Sequence, residues 1–220
     1  NAFGRDAAYA TNLADIMAYA MSNSSMTTED LGEAYGKVAA TASAYGYQES
    51  EVTAVLMTMA NQGRKAGQAG TSLNTILSRL ATNTGGCVDA IADYNHGVNI
   101  MYDESTGKMK PLSQVLEGLH DVWGKLDDQQ RNVLAKQIAG TRQSNALFSI
   151  MAGMEKVAGS SARSFSDYAK ELDNCAGSAQ RMADVSLDNL AGDVELFNDA
   201  MSGLGIELEG KLDGAFRTVV

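Results

Sequence analysis

Proline is almost absent from this chain, and this constrains the fold more than any other feature. The 220 residues include one proline, Pro111, and 22 glycines. A proline inside a helix costs about 3 kcal/mol and a glycine only about 1 kcal/mol, so such a chain can still be largely helical. Apolar residues also recur every three or four positions, which is the spacing of one helix face. The sequence therefore predicts a mainly α fold, a multi-helix globular bundle.

Four helices are predicted in the first 81 residues. Thr27, with Asp30 three positions later, is typical of a helix start, and Gly46 is placed to end that helix. Gly67 and Gly70 lie near the start of the fourth helix and indicate a close helix crossing. The residues expected to face the core are Ala8, Leu13, Ile16, Met17 and Ala20 in 5–21; Leu31, Ala34, Tyr35, Val38 and Ala42; Val52, Val55, Leu56 and Met59 in 49–61; and Leu73, Ile76, Leu77 and Leu80 in 67–81.

Helices continue through the middle of the chain. Pro111 stands where a helix tolerates proline, at its start, and Asp127 with Gln130 is typical of another start. Gly140 is expected to stop that helix, and Thr141 to begin the next. The predicted core residues are Val88, Ile91 and Ala92; Leu112, Val115, Leu116, Leu119, Val122, Trp123 and Leu126; Val133, Leu134 and Ile138; Leu147, Ile150, Met151 and Met154; and Phe165, Tyr168, Ala169 and Leu172. The segment 153–163 between the last two helices is expected to be a loop.

One segment has the alternating pattern of a strand. Val98, Ile100 and Tyr102 alternate with Asn99 and Met101, which is the period of a half-buried strand. The next residues, 104–107, have turn composition and include Gly107, and 108–110 can return as the partner strand. The sequence therefore predicts one short β-hairpin over about 98–110, leaning on the helices because an isolated hairpin is marginal in water.

The C-terminal segment has a different, heptad-like pattern. Its apolar residues are spaced alternately three and four apart, which predicts a coiled-coil-like helix that pairs with other copies of the chain. The expected oligomerisation residues are Leu187, Leu190, Val194, Phe197, Met201, Leu204, Leu208 and Leu212. Five glycines weaken this helix, so we expect it to need a partner. The predicted organisation is a helical globular domain with a hairpin at 1–175 and a long amphipathic helix at 178–220.

The charge balance limits the partners of the chain. Its formal net charge is -10, and an acidic surface repels nucleic acid and anionic lipid. No apolar run is long enough to span a membrane. The two cysteines, Cys87 and Cys175, are expected to be reduced structural thiols. Because the chain begins with Asn1 rather than methionine, we expect it to be a segment of a longer protein.

No catalytic, cofactor-binding or metal-binding residue is predicted. His96 and His120 are 24 residues apart, and no metal-ligand or acid–base motif surrounds them. Gly63, Gly67 and the Gly70-Thr71 pair superficially resemble a phosphate loop, but the lysine and the preceding strand of that motif are missing. Paired carboxylates such as Asp127-Asp128 lie at predicted helix starts, where capping explains them. Close helix packing remains the better interpretation of the glycines.

Four motifs, in order, resemble one protein family. They are Ala60-Asn61-Gln62-Gly63 through Gly67-Gln68-Ala69-Gly70-Thr71 to Leu77-Ser78-Arg79-Leu80; Gly97-Val98 and Tyr102-Asp103 with Gly107 to Pro111-Leu112; Gly140-Thr141-Arg142; and Leu187-Asp188-Asn189-Leu190. Together they resemble the conserved domain of tape measure proteins of long-tailed phages, the group first recognised in lactococcal phages. The chain departs from the family at Gln48, where a serine cap is common, and in its two cysteines.

The resemblance implies a structural virion protein without enzymatic activity or cofactor. It implies a role in tail length determination, tail assembly and genome ejection, in the virion tail and, during assembly, in the host cytoplasm. The implied partners are other copies of the chain and the tail tube, tail assembly chaperone and baseplate proteins, with no sequence-specific nucleic acid and no membrane. Two alternatives stay open at this stage: a cell-wall hydrolase module of a phage tail protein, and a membrane-active helix bundle.

Overall fold

The computed structural model describes residues 7–155 and 164–189. The chain divides into two units, Asn1–Ala179 and Gln180–Val220. Within the first, the elements are α1 (Ala7–Asn23), α2 (Thr28–Ala44), α3 (Glu49–Asn61), α4 (Ala66–Ala81), α5 (Cys87–Tyr94), α6 (Leu112–Trp123), α7 (Asp128–Met154) and α8 (Phe165–Leu172). The predicted mainly α fold is therefore confirmed.

Local capping chemistry fixes where several helices begin. The Thr27 hydroxyl accepts a hydrogen bond from the backbone N–H of Asp30 at 3.2 Å, and the Asp30 carboxylate accepts from the Thr27 N–H at 2.9 Å. Asp127 and Gln130 make the same reciprocal pair at the start of α7. Each pair satisfies N–H groups that have no acceptor within the helix. Both predicted helix starts are confirmed.

Helix α3 lies at the centre of the bundle. It packs against α1, α2, α4, α6, α7 and α8, and every residue from 49 to 59 is buried. The sequence predicted a single apolar stripe on this helix, which was too narrow. The remaining faces hold mostly alanine, serine and threonine, together with Met57 and, in the first turn, Glu49 and Glu51. The small side chains allow neighbouring helices to approach closely.

Helix α3 accepts hydrogen bonds from two neighbouring helices, through the Glu51 carboxylate and through the Glu49 carbonyl. The Glu51 carboxylate Oε1 accepts hydrogen bonds from the backbone N–H of Ser113, at 3.0 Å, and from the Ser113 hydroxyl, at 2.8 Å. Ser113 is in the first turn of α6, so a glutamate from another helix caps α6 where Pro111 offers no side-chain cap. The Tyr35 hydroxyl of α2 donates to the Glu49 carbonyl at 3.1 Å and also contacts Thr53 Oγ1.

The two strands of the predicted β-hairpin at 98–110 are not formed in the described structure, although the chain reverses at the predicted turn. The Asp103 N–H donates to the Lys108 carbonyl and the Lys110 N–H to the Met101 carbonyl, both at 2.9 Å. That part of the chain contains one isolated antiparallel bridge, between Tyr102 and Met109, and no strand. Ile100 and Met101 are both buried while Val98 is 48 % exposed, so burial does not alternate. The reason is a local bend, because the Asn99 side-chain oxygen accepts from the Met101 N–H at 2.7 Å and turns the backbone.

The range named α7 confirms one prediction and corrects two. It joins two helical segments at Gly140, whose φ of 72° and ψ of 165° are not helical, so the predicted helix stop at Gly140 and the new start at Thr141 are confirmed. Val133 was expected to face the core and is 49 % exposed. The loop was predicted over 153–163, but α7 extends to Met154, and residues 156–163 lie outside the described residues.

The beginning of the C-terminal helix is bonded to α1. The Asp15 carboxylate, 6 % exposed, accepts hydrogen bonds from the N–H groups of Gly177 and Ala179, both at 2.9 Å. Residues 178–189 are helical. Of the predicted heptad positions, Leu187 is described and is 63 % exposed in the single chain. The other heptad positions lie outside the described residues, and the coiled coil stays a prediction.

Candidate interaction groove between α4 and α7

Helices α2 and α4 cross each other at Gly67 and Gly70 of α4, where their backbones lie very close together. A Cβ added at Gly70 would lie 2.8 Å from the Cα of Ala34 and nearer still to the Ala34 carbonyl oxygen. Such contacts are far inside van der Waals distance, so only glycine allows the two backbones to lie this close. A Cβ at Gly67 would instead meet the Glu33 carboxylate, the flexible end of a side chain. The crossing therefore fixes the position of the first turn of α4 against α2.

Helix α4 also bonds to the kink of α7. The Arg79 guanidinium donates to the carbonyl of Gln137, with Nε at 3.1 Å and Nη2 at 2.8 Å, and Nε lies 3.1 Å from the carbonyl of Ile138. In a straight helix these carbonyls would bond to N–H groups four residues later. The kink at Gly140 interrupts that pattern, and Arg79 supplies the donors. Two of the motifs found in the sequence are thus joined in space.

A groove runs along this face of the α2, α4 and α7 helices. Its largest part has a volume of about 530 Å³ and is lined by Glu33, Lys37, Arg64, Lys65, Gly67, Gln68, Thr71, Arg142 and Gln143. A neighbouring part of about 380 Å³ shares Arg142 and Gln143 and reaches the kink at Gly140. A third part of about 220 Å³ shares Arg64 and Lys65 and reaches Gly63.

The large part of the groove is basic, although the chain is acidic. Lys37 comes from α2, Arg64 and Lys65 from the turn before α4, and Arg142 from α7, against one carboxylate, Glu33. Within the described part of the chain, Lys37, Lys65 and Arg142 form no ion pair. Arg64 Nε donates to the Ser149 hydroxyl at 3.2 Å, and burial lowers the Arg64 pKa below its usual value.

The remaining motif residues lie in turns and near helix starts. Gly63 has φ +79° after α3, and Gly107 has φ +65° in the turn that connects Tyr102 to Met109, the two residues of the antiparallel bridge. The Thr71 hydroxyl donates to the Gly67 carbonyl one turn earlier, at 2.8 Å, and Thr71 is exposed on the groove. Pro111 precedes α6.

The titratable groups considered in the sequence are dispersed. His96 is exposed with φ +55°, and His120 is half-buried in the last turn of α6. In residues 7–155 and 164–189, no cluster of three or more histidine, cysteine or acidic side chains could hold a metal ion. Cys87 and Cys175 are buried and form no disulfide, and burial raises the Cys87 pKa. Among the described helices, none is long and apolar enough to cross a membrane.

The basic groove was missed in the sequence because its cations are far apart in the chain. Lys37 and Arg142 are brought together by the packing of α2, α4 and α7, which no local pattern encodes. One signal was available, since Arg64 and Lys65 adjoin the glycine-punctuated turn and Arg142 belongs to the Gly140 motif. Basic residues inside those motifs, in a chain of net charge -10, could have suggested a shared surface.

One family model matches most of this helical bundle, including α4 and the first helical segment of α7. The chain belongs to the family of phage-related minor tail proteins, whose match covers residues 1–140. Within that setting it is similar to the tape measure protein of Pneumococcus phage Dp-1, with 29% identity over all 220 residues. It is also similar to the probable tape measure protein of Escherichia phage P2, with 22% identity over 208 residues. The predicted resemblance to tape measure proteins is confirmed.

The matched relatives are much longer than this chain. The alignments span 18% of the Dp-1 protein and 24% of the P2 protein, while covering 100% and 94% of this chain. No solved structure matches the chain. What the complete relatives do therefore reaches this chain only as a proposal.

Proposed function

We propose that this chain is a folded, non-catalytic module of a tape measure protein that acts in tail assembly by binding other proteins. The observation that carries the proposal is the similarity to tape measure proteins along the whole chain, at 100% and 94% coverage. The geometry supports it, because residues of the motifs found in the sequence are used for helix packing. Arg79 bonds to the α7 kink, and Gly70 permits the α2–α4 crossing.

Tail length control and genome ejection are part of the same proposal. An α-helix extends about 1.5 Å per residue, so a helical protein of fixed length can set the length of a tube around it. In this proposal the bundle positions one part of that protein against the tail tube, tail assembly chaperone or baseplate. It would do so inside the host cytoplasm during assembly and afterwards in the virion tail.

The proposal is tested by assembly in infected cells. A phage whose tape measure protein carries a destabilising change in this bundle, such as Gly70→Val, should yield fewer complete tails. A phage carrying Gly36→Ala should assemble normally, because a Cβ at Gly36 meets nothing within 4 Å. Electron microscopy of lysates gives tail number and length for both. Normal tail yield from a variant whose bundle is shown to be unfolded would contradict the proposal.

Self-association through 187–212 is a separate part of the proposal. The exposure of Leu187, at 63 % in the single chain, is consistent with a surface that a second copy covers. Light scattering should give a multimer for this chain and a monomer for a chain lacking 180–220. Equal monomeric masses would contradict the coiled coil and leave the bundle's role untouched.

A further inference from the structure

Four cations converge on one concavity of about 530 Å³ from separate elements. Lys37, Lys65 and Arg142 are exposed at its surface, while Arg64 is half-buried beneath. Like charges at such a site repel one another, and the single carboxylate of Glu33 offsets only part of that repulsion. In a chain with formal net charge -10, cations are scarce and acidic side chains are available to pair with them. Nevertheless, none of these four forms an ion pair within the described residues.

The groove already accommodates one carboxylate. The Glu33 side chain lies against Gly67, in the first turn of α4, where a Cβ would collide with it. Lys65 is the N-cap residue of helix α4 and makes no side-chain cap hydrogen bond, and the partial positive charge at this helix end adds to that of the four side chains. Gln68 and Gln143 line the same volume and offer neutral amide donors beside the cations, and the Thr71 hydroxyl oxygen can accept a hydrogen bond there.

We propose that this groove binds an acidic polypeptide segment of a partner protein, whose carboxylates pair with Lys37, Arg64, Lys65 and Arg142. The inference rests on the proposed role as a protein-binding module and names the chemistry of one partner. Charge complementarity favours a short acidic peptide over nucleic acid, because a long polyanion would extend past the groove onto the acidic remainder of the surface. The amide and hydroxyl groups also suit a peptide backbone and side-chain carboxylates.

Binding of a fluorescein-labelled hexaglutamate peptide to the full 220-residue chain, followed by fluorescence anisotropy at low salt, tests the proposal. Arg142→Gln and Lys65→Gln should each weaken binding about threefold to fivefold, which corresponds to an exposed ion pair. Glu33→Gln removes the competing carboxylate and should strengthen binding by a similar factor. Lys125→Gln, an exposed lysine outside the groove lining, is the matched control and should change nothing. Raising the salt concentration should weaken binding of the unaltered chain.

Three outcomes would overturn the proposal. One is absence of peptide binding by the unaltered chain, and another is equal affinity of the groove variants and the Lys125→Gln control. The third is tighter binding of a DNA oligonucleotide of matched charge, weakened by the same groove changes, which would assign the groove to nucleic acid. Circular dichroism of each variant verifies folding. Tail yields in infected cells report on the proposed function separately, so normal assembly with a groove variant would reject this partner and retain the structural role.

Discussion

Replacing Gly70 by alanine should destabilise the bundle, whereas the same replacement at Gly36 should stabilise it. Both glycines are helical, so each change gains roughly 1 kcal/mol of helix propensity. They differ in their surroundings. The new Cβ at position 70 would be 2.8 Å from Ala34 Cα and 3.0 Å from its carbonyl carbon, whereas at position 36 it meets nothing within 4 Å.

The cost at Gly70 follows from the rigidity of the atoms it would meet. Carbon atoms prefer separations of about 3.5–4.0 Å, so α2 and α4 must move apart by nearly 1 Å. The obstructing atoms are backbone and cannot rotate away, which places the penalty near the upper end of the roughly 1–3 kcal/mol typical of overpacking. After the propensity gain, we expect Gly70→Ala to lower the free energy of unfolding by about 2 kcal/mol, and Gly36→Ala to raise it by about 1 kcal/mol.

Urea denaturation followed by circular dichroism measures both changes. Thermal melting should show a loss of about 4–8 °C for Gly70→Ala and a gain of about 2–4 °C for Gly36→Ala, from the usual scaling for domains of this size. The control isolates packing from propensity because the chemical change is the same. If both variants gain stability equally, the α2–α4 contact at Gly70 does not restrict the side chain and the reasoning fails.

Three other predictions concern the backbone, a buried cap and an exposed turn. Gly140→Ala should lower the free energy of unfolding, measured by urea denaturation, by about 1–3 kcal/mol. The cost is backbone strain alone, since φ 72° and ψ 165° suit glycine and an added Cβ would meet nothing within 4 Å. A gain in stability would refute this. Glu51→Ala should lower the free energy of unfolding by about 1–3 kcal/mol, because it removes the acceptor of two Ser113 hydrogen bonds. Glu51→Gln should have a smaller effect, because its amide oxygen still accepts. Equal melting temperatures of the two variants would contradict this prediction. Hydrogen bonds from Ser105 and Thr106 lower the Asp103 pKa from 3.8 to about 2. The ionised carboxylate therefore stabilises the turn above about pH 4, and this contribution is lost as the pH falls towards 2. An NMR titration midpoint of Asp103 near 4 would disprove this.

Helix boundaries were predicted well where short-range chemistry decides them. Thr27 with Asp30, and Asp127 with Gln130, place helix starts to the residue, because the interacting groups are three positions apart. The core residues of α2 and α6 agree with the predicted stripes, since each of those helices buries one face. Such features require only the helical repeat and local hydrogen bonds.

Predictions failed where the apolar pattern alone did not decide which residues are buried. Gly140 is not such a case, because it ends a helical segment as predicted and Arg79 from α4 bonds to a carbonyl that this break exposes. The alternation at 98–102 is typical of a strand, yet the Asn99 side chain bends the backbone and both Ile100 and Met101 become buried. For α3, the apolar stripe indicated one neighbour, whereas central packing buried all faces.

By itself the sequence determined the helical class, most helix starts and the similarity to tape measure proteins, because capping, periodicity and proline scarcity act within a few residues. Only the tertiary structure decided which glycine permits the α2–α4 crossing and which arginine completes the α7 kink. It also decided that Lys37, Arg64, Lys65 and Arg142 share one groove. Those features depend on residues up to about a hundred positions apart, and their proximity is fixed by the packing of whole helices, which no local pattern records.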